Sequence, residues 1–221
     1  MRPKAIVAWS SGKDSAWALH EVRRAGTVDV VGLLTTVTHA FARVSMHAVR
    51  EELLDRQASA LGLPCCKVRI PWPCPNHVYE AEMAAALAAA RAAGVAQVVF
   101  GDLFLADVRA YREAKLAGTG LAPAFPLWGR DTGGLAREML EGGLAATLTC
   151  VDPRKVDRAL AGRPFDAALL AALPPDVDPC GENGEFHTFA SAGPMFSGPI
   201  AVAPGEVVER EGFVFADLVA A

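Results

Sequence analysis

A six-residue segment near the N-terminus combines small, hydroxyl-bearing and charged side chains in an order suited to binding phosphate: Ser10, Ser11, Gly12, Lys13, Asp14 and Ser15. The small residues at the first three positions let backbone N–H groups approach an anion closely, and a helix beginning at the end of the segment adds its positive N-terminal end. Lys13 can neutralise phosphate charge, and the hydroxyls of Ser10 and Ser15 can donate hydrogen bonds. Asp14 can cap the helix or help to hold a magnesium ion. We therefore expect a pyrophosphate group to bind at residues 10–15.

This segment differs from the Walker A phosphate loop. That motif requires Gly-x-x-x-x-Gly-Lys-Ser/Thr, whereas here position 7 is Val and the residue after Lys13 is Asp. The difference favours cleavage between the α and β phosphates over a switch that cleaves the γ-phosphate. The alternative is a turn in which Ser10 or Ser11 only caps the helix and binds no ligand. A position after the first strand of a β-α-β pattern, where open parallel sheets bind ligands, favours the phosphate site.

A second group of polar residues follows the apolar run that ends at Phe100. Gly101 and Asp102 come directly after this run, so Asp102 can reach a nucleotide or its magnesium ion from the same edge of the sheet as residues 10–15. Arg109 and Arg112 are three positions apart (i, i+3), which places both on one face of a helix, where guanidinium groups can bind one phosphate or carboxylate. The alternative for the two arginines is a solvated helix face with local ion pairs.

A third group lies near the C-terminus, after the proline-rich residues 173–179. Glu182, Glu185 and His187 fall within a short stretch that also contains two glycines, which is typical of a tight loop presenting polar side chains. These three residues are candidates for acid–base or metal chemistry. An exposed acidic loop with one hydrogen-bonded histidine is the alternative, and spacing alone favours that alternative.

Other polar and aromatic residues carry weaker signals. His39, His47 and His77 are isolated histidines, and such residues more often face solvent or hydrogen-bond to neighbours than take part in catalysis. Trp72 and Trp128 lie in proline-rich segments, where a flat ring can stack on adenine or cover the core. Covering the core is the expected role.

The elements that must position these groups alternate between apolar runs and helical patterns. Strands are predicted at residues 4–9, 28–36, 65–70 and 95–100, and helices at residues 15–24, 48–61 and 78–93. This alternation predicts a parallel sheet. After about residue 120 the pattern changes to a helix at residues 135–140, a strand at 145–151 and short antiparallel strands within 200–218. We therefore expect two domains, residues 1–120 and 121–221, with a site between them.

Composition disfavours several classes of protein. The net charge is −4 and no basic run is present, which disfavours nucleic acid as a partner. The five cysteines form no C-x-x-C pair and are expected to be free thiols. Neither a membrane span nor a signal peptide is predicted, so a cytoplasmic protein is expected. The chain has 16 arginines, 5 lysines and many alanines, a bias typical of GC-rich bacterial genomes.

Together, residues 10–15, 101–113, 126–128 and 180–188 resemble the diphthamide synthase (diphthine-ammonia ligase) family of PP-loop ATP pyrophosphatases. The usual PP-loop motif reads Ser-Gly-Gly-x-Asp-Ser, and Ser11 replaces its first glycine, which is unfavourable if that position needs a positive φ. The resemblance implies an α/β fold: a Rossmann-like, HUP-type PP-loop domain binding ATP, and a smaller C-terminal α+β domain closing over the substrate. It also implies that residues of the C-terminal part bind the substrate: Glu182, Asn183, Glu185, His187 and Thr188.

The family's reaction joins ammonia to a carboxylate at the expense of ATP and yields AMP and pyrophosphate. By this resemblance we expect ATP and Mg²⁺ as cofactors, with Asp14 and Asp102 as metal ligands, and ammonia and a carboxylate acceptor as further substrates. Lys13, Asp14, Asp102, Glu182 and Glu185 are the expected catalytic residues, with Glu185 as the proton acceptor. Two alternatives remain: a PP-loop enzyme that uses another nucleophile, such as a tRNA thiolase, and a non-catalytic adenine nucleotide-binding module.

Overall fold

A mainly parallel sheet forms the N-terminal half of the computed structural model, which describes residues 1–45 and 47–221. Its strands are β1 (Lys4–Ala8), β2 (Asp29–Thr38), β3 (Arg43–Val44), β4 (Cys65–Ile70), β5 (Val95–Val99) and β6 (Ala122–Ala124). The central strand β1 pairs in parallel with β2 on one side and β5 on the other. β4 and β6 extend the sheet beyond β2 and β5. The short β3 runs antiparallel to the last residues of β2, beyond the end of β1.

Helices cover both faces of this sheet, as parallel strands require. They are α1 (Lys13–Ala25), α2 (Glu51–Leu61), α3 (Asn76–Ala92) and α4 (Ala106–Leu116). Successive residues of β1 point to opposite faces: Val7 packs in the hydrophobic cluster that contains residues of α1 and α2, and Ile6 packs in the cluster that contains residues of α3 and α4. Among the described residues, no helix combines the length and the apolar character needed to cross a bilayer.

The C-terminal half contains an antiparallel sheet. Its strands are β7 (Ala145–Val151), β8 (Phe186–Ala192), β9 (Val202–Arg210) and β10 (Phe213–Ala220), in the order β8-β7-β10-β9. The helices α5 (Thr132–Glu141) and α6 (Ala167–Ala172) flank it. The Asp131 carboxylate accepts the N–H of Gly134 at 2.6 Å and so caps α5, which explains where this helix begins.

The two sheets share one apolar core. The larger hydrophobic cluster runs from Val7 and Leu54 in the first half to Leu148 and Phe189 in the second. β6, which lies after residue 120, pairs with β5 and therefore belongs to the parallel sheet. The predicted division at residues 120 and 121 stays a prediction.

The predicted α/β class, with a Rossmann-like parallel sheet and a smaller second part, is confirmed. The predicted strands of the parallel sheet and the strand at 145–151 match observed strands, with ends that differ by up to two residues. Residues 180–188 differ from the prediction, because β8 begins at Phe186, within the predicted loop. Gly181 and Gly184, with φ of 71° and 80°, form the turns that precede it.

Candidate active site

The phosphate loop, residues 10–12, connects β1 to the first turn of α1. Ser11 has a φ of 70°, in the left-handed region, and Gly12 is the extended residue that precedes the helix. The Ser10 hydroxyl accepts the N–H of Gly12 at 3.3 Å and lies 3.1 Å from the Ser15 hydroxyl. The loop thus turns tightly around its own hydroxyls and presents the N-terminal end of α1, which attracts anions.

Lys13 points into the protein, not out of the loop. Its ammonium group is almost completely buried, donates to both carboxylate oxygens of Asp14 at 2.9 and 2.8 Å, and also donates to the carbonyl oxygen of Cys180. It lies 5.5 Å from the ring centroids of Phe165 and Phe186. Burial alone would lower the pKa of Lys13, but the nearby Asp14, together with Cys180 and Asp178, raises the pKa overall, so Lys13 carries its charge.

The segment after β5 packs directly on the first turn of α1. A Cβ atom at Gly101 would lie 2.9 Å from Asp14 C and Ser15 N, so only glycine permits this approach. Asp102 accepts two hydrogen bonds from the Arg112 guanidinium, at 2.7 and 3.0 Å. Gly101 therefore brings the segment that carries Asp102 against the first turn of α1.

The two arginines of α4 do not converge on one point. Arg109 pairs with Glu113 at 2.7 Å and stacks on Phe125 and Trp128, with its guanidinium carbon 4.9 and 4.7 Å from their ring centroids. Arg112 is held by Asp102 and lies over Phe100. In this arrangement each arginine has its own local partners.

Residues 180–188 reach from the antiparallel sheet to both segments of the nucleotide side. The Thr188 hydroxyl accepts the backbone N–H of Lys13 at 3.1 Å, and the Glu182 carboxylate accepts the N–H of Leu103 at 2.7 Å. The pKa of Glu182 is raised to about 7, chiefly by burial and also by the charges of Asp14 and Asp102. Hydrogen bonds from the backbone N–H groups of Leu103 and Phe104 act in the opposite direction and lower the pKa. Glu182 therefore lies at the junction of the three predicted groups.

Glu185 and Asn183 hold the turn before β8 together. Glu185 is buried, and one of its oxygens accepts the N–H of Asp178 at 3.2 Å and the side-chain amide of Asn183 at 3.1 Å. Its other oxygen is buried and, among the described residues, has no hydrogen-bond partner. The side-chain hydrogen bonds of Glu185 are thus with the turn before β8 and not with the phosphate loop.

Two residues outside the predicted groups complete the site. His47 packs on the phosphate loop, because a Cβ at Gly12 would lie 2.8 Å from its Cε1, and its ring lies 4.7 Å from that of His187. Gln57 is fully buried, donates to the carbonyl oxygens of Ser11 and Ala190, and so ties the loop to β8. A polar residue within the apolar face of a predicted helix is a signal that could have identified Gln57; an isolated histidine gives no such signal.

A cavity of about 270 Å³ opens at the carboxyl ends of the central strands. β1 lies at the topological switch point of the sheet, with β2 on one side and β5 on the other, where open α/β sheets bind ligands. The cavity is lined by Ser10 of the phosphate loop, by apolar side chains including Leu34 and Phe100, and by Arg112. Its mainly apolar lining with a few polar groups suits a small-molecule ligand such as a nucleoside.

The family model of the diphthamide synthase N-terminal domain matches residues 3–120. This chain belongs to the diphthamide synthase family. The matched residues contain the phosphate loop, the Gly101–Asp102 segment and the helices α1 to α4. The helices α5 and α6 follow the matched range. As a member of the diphthamide synthase family, the protein is an ATP-using enzyme of the PP-loop type. No curated protein matches the chain.

The acidic side chains of this diphthamide synthase family member would hold a magnesium ion only if nucleotide phosphate supplied further ligands. In the part of the chain that the structure describes, no three His, Cys, Asp or Glu side chains converge to enclose a metal. Mg²⁺ usually needs only one or two carboxylates, with substrate phosphates and water completing its shell. Asp14 and Asp102 lie on adjoining segments, and each is paired with a basic side chain, Asp14 with Lys13 and Asp102 with Arg112. Their role as magnesium ligands stays a prediction.

Proposed function

We propose that the protein is an AMP-forming ligase that adenylates a carboxylate and then amidates it with ammonia. The observation that carries this proposal is the position of residues 180–188, which contact the phosphate loop through Thr188 and the Gly101–Asp102 segment through Glu182. A segment from the second sheet thus meets the nucleotide side where the α-phosphate would lie. This is the arrangement expected if one half holds ATP and the other presents an acceptor to it.

The nucleotide side supports cleavage at the α-phosphate. Adenosine would occupy the cavity beside Ser10, and pyrophosphate would lie over the N-terminal end of α1, whose N–H groups stabilise the charge that develops as it leaves. Because the Lys13 ammonium is enclosed by Asp14 and Cys180, its role in this arrangement is to join α1 to residues 180–188. Asp14 and Asp102 would hold Mg²⁺, which neutralises charge on the phosphates.

A carboxylate is a poor electrophile until one of its oxygens becomes part of a leaving group. Attack of that oxygen on the α-phosphate gives an acyl-adenylate and releases pyrophosphate. Ammonia then attacks the acyl carbon, a proton leaves the nitrogen, and AMP departs with the former carboxylate oxygen. Free ammonia is the proposed donor. The buried Cys150 and Cys180 thiols do not suit glutamine hydrolysis, because burial raises their pKa to about 12 and disfavours the thiolate.

The geometry favours Glu182 over Glu185 as the acceptor of that proton. Glu182 is only partly buried, contacts the segment that carries Asp102, and has a pKa of about 7, which suits proton transfer at neutral pH. Glu185 is buried and hydrogen-bonded within its own turn. We therefore assign proton transfer to Glu182 and the shaping of the turn to Glu185.

The products formed from ATP test this function. Protein incubated with Mg-ATP, ammonium and a panel of carboxylates should release AMP and pyrophosphate, measured by chromatography and a pyrophosphate assay. Glu182→Gln should retain exchange of labelled pyrophosphate into ATP but lose at least tenfold in amide formation, because it removes the proton acceptor without changing its size. Glu206→Gln, on the exposed part of β9, is the control. ADP as product would contradict the proposal, and ATP binding without turnover would indicate a nucleotide-binding module instead.

A further inference from the structure

A second cavity, of about 250 Å³, lies between the two sheets. We call it the aromatic cavity and define it by Phe41, Trp72, Phe213, Phe215 and His187, which line it. Phe41 and Trp72 come from the segments that follow β2 and β4, and the two other phenylalanines come from β10. Both halves of the chain thus contribute aromatic walls to one space.

The aromatic cavity adjoins the nucleotide cavity. Val44 and Ser45, in and directly after β3, line both. His187 forms part of the wall of the aromatic cavity and packs against His47, which covers Gly12 of the phosphate loop. This pair of imidazole rings therefore connects the wall of the aromatic cavity to the phosphate loop.

The walls carry no net charge. Arg43 pairs with Asp217 at 2.7 Å, and the remaining charged residues of the lining, Arg210 and Glu211, are of opposite sign. His187 adds no charge at neutral pH, because burial and then the nearby charge of Lys13 lower its pKa to about 4. An ionised tail would find no opposite net charge in this cavity.

Exposed aromatic side chains mark the mouth of the cavity. Phe41 and Trp72 are 50% and 52% exposed, although large apolar side chains are usually buried, and their ring centroids lie 6.1 Å apart. Two adjacent exposed rings over an apolar cavity suit a ligand that supplies its own apolar surface.

We propose that the aromatic cavity binds the acceptor of the reaction, and that this acceptor is a carboxylate with an uncharged aromatic or bulky apolar tail. The proposal rests on the ligase function above and names its substrate class. The tail occupies the cavity between Trp72 and Phe215, and the carboxylate extends past His187 towards the phosphate loop. Aromatic walls also attract quaternary ammonium groups, so the neutral balance of charge is the feature that decides between an uncharged and a cationic tail.

A panel of four carboxylates tests this specificity: 3-phenylpropionate, hexanoate, succinate and 4-(trimethylammonio)butyrate. Calorimetry should show that 3-phenylpropionate and hexanoate bind at least tenfold more tightly than succinate and the ammonium compound. Trp72→Ala and Phe41→Ala should each weaken 3-phenylpropionate binding about tenfold, through loss of one stacking surface, and leave ATP affinity within twofold. Both side chains are half exposed, so these variants are expected to fold. Val207→Ala, an exposed apolar residue of β9 outside the lining, should change neither affinity.

The possible outcomes separate this proposal from the ligase function. Equal binding of succinate and 3-phenylpropionate, or no effect of Trp72→Ala, would overturn the assignment of the cavity, and AMP formation with another carboxylate would still support the ligase. Preference for 4-(trimethylammonio)butyrate would overturn the uncharged tail. Binding that follows the prediction, in a protein that releases no AMP or pyrophosphate, would support the cavity as a carboxylate site and contradict the ligase.

Discussion

Ser11 has a backbone conformation that residues with a side chain rarely adopt. Its φ is 70°, its side chain is completely buried, and its hydroxyl has no hydrogen-bond partner among the described residues. The Ser11 carbonyl oxygen accepts hydrogen bonds from Ala190 and Gln57, which fix this conformation. The left-handed region costs a residue with a Cβ about 1–2 kcal/mol. The protein therefore maintains a strained phosphate loop through contacts with α2 and β8.

Replacing Ser11 by glycine should relieve this strain. Ser11→Gly is expected to raise the free energy of unfolding by about 1 kcal/mol, because the gain in backbone energy exceeds the added entropy of the unfolded chain. Ser11→Ala is the matched control, since it removes the hydroxyl but keeps the Cβ. Urea unfolding followed by circular dichroism measures both. Equal stability of the glycine and alanine variants would show that the backbone at Ser11 is not strained.

Residue types alone predicted part of this site. Position 11 was identified as unfavourable for serine if φ is positive, and the structure has that φ. The direction of the Lys13 side chain was not predictable, because it depends on the carbonyl of Cys180, far away in sequence. His47 also escaped prediction, since its contact with Gly12 arises only when β3 pairs beyond the end of β1. Contacts between distant segments leave no local pattern.

At the scale of elements, the packing of the segment after β5 against α1 depends on Gly101. A methyl group at this position would meet the backbone of Asp14 and Ser15 at 2.9 Å, and a helix backbone cannot move aside without disturbing the phosphate loop. Asp102 follows immediately and is fixed by Arg112. The distance between the phosphate loop and Asp102 is therefore set by the lack of a side chain at Gly101.

Gly101→Ala should separate these two elements. We expect a loss of about 2 kcal/mol of stability, typical of overpacking, together with at least tenfold weaker binding of Mg-ATP. Gly198→Ala is the control, because a Cβ at Gly198 would meet no atom within 4 Å. Thermal unfolding and calorimetry measure the two effects. Unchanged ATP affinity in a folded Gly101→Ala protein would show that the nucleotide does not use this junction.

Long, buried strands are predictable from the sequence, whereas short strands and strands that depend on pairing are not. The central parallel strands are nearly continuous apolar runs, a pattern that comes from burial on both faces. β3 has two residues and β6 three, too few for any periodicity to appear. β8 follows a turn with two glycines and was predicted as part of a loop, because its strand character comes from pairing with β7.

At the scale of the whole molecule, Asp217 links the two sheets. This residue of β10 accepts hydrogen bonds from Arg43 of β3 at 2.7 Å and from Arg50, which precedes α2. Burial would raise the pKa of Asp217, but these two guanidinium groups lower it to about 2. The link also forms one side of the aromatic cavity, since Arg43 and Asp217 both line it.

The pKa of Asp217 predicts how stability depends on pH. The carboxyl group of an unfolded chain has a pKa of about 4, so between pH 4 and pH 2 the unfolded state binds more protons at this group than the folded state. The stabilisation is therefore complete above about pH 4 and is lost as the pH falls towards 2. Because the arginines are partly exposed, we expect Asp217→Asn to cost about 1–2 kcal/mol at pH 7.

The difference in unfolding free energy between the parent protein and Asp217→Asn reports on Asp217 alone, because all other carboxyl groups are the same in both proteins. Their unfolding free energies, measured in urea from pH 7 to pH 2.5, should differ most above pH 4 and converge as the pH falls. The control is Glu209→Gln. Glu209 lies on β9 of the same sheet as Asp217 and forms an exposed ion pair with Arg158, so its loss should cost less than about 0.5 kcal/mol at any pH. A difference that stays constant down to pH 2.5 would mean that Asp217 stabilises the protein by packing and not by its charge. In that case the arginines of β3 and the segment before α2 would not join the two sheets electrostatically.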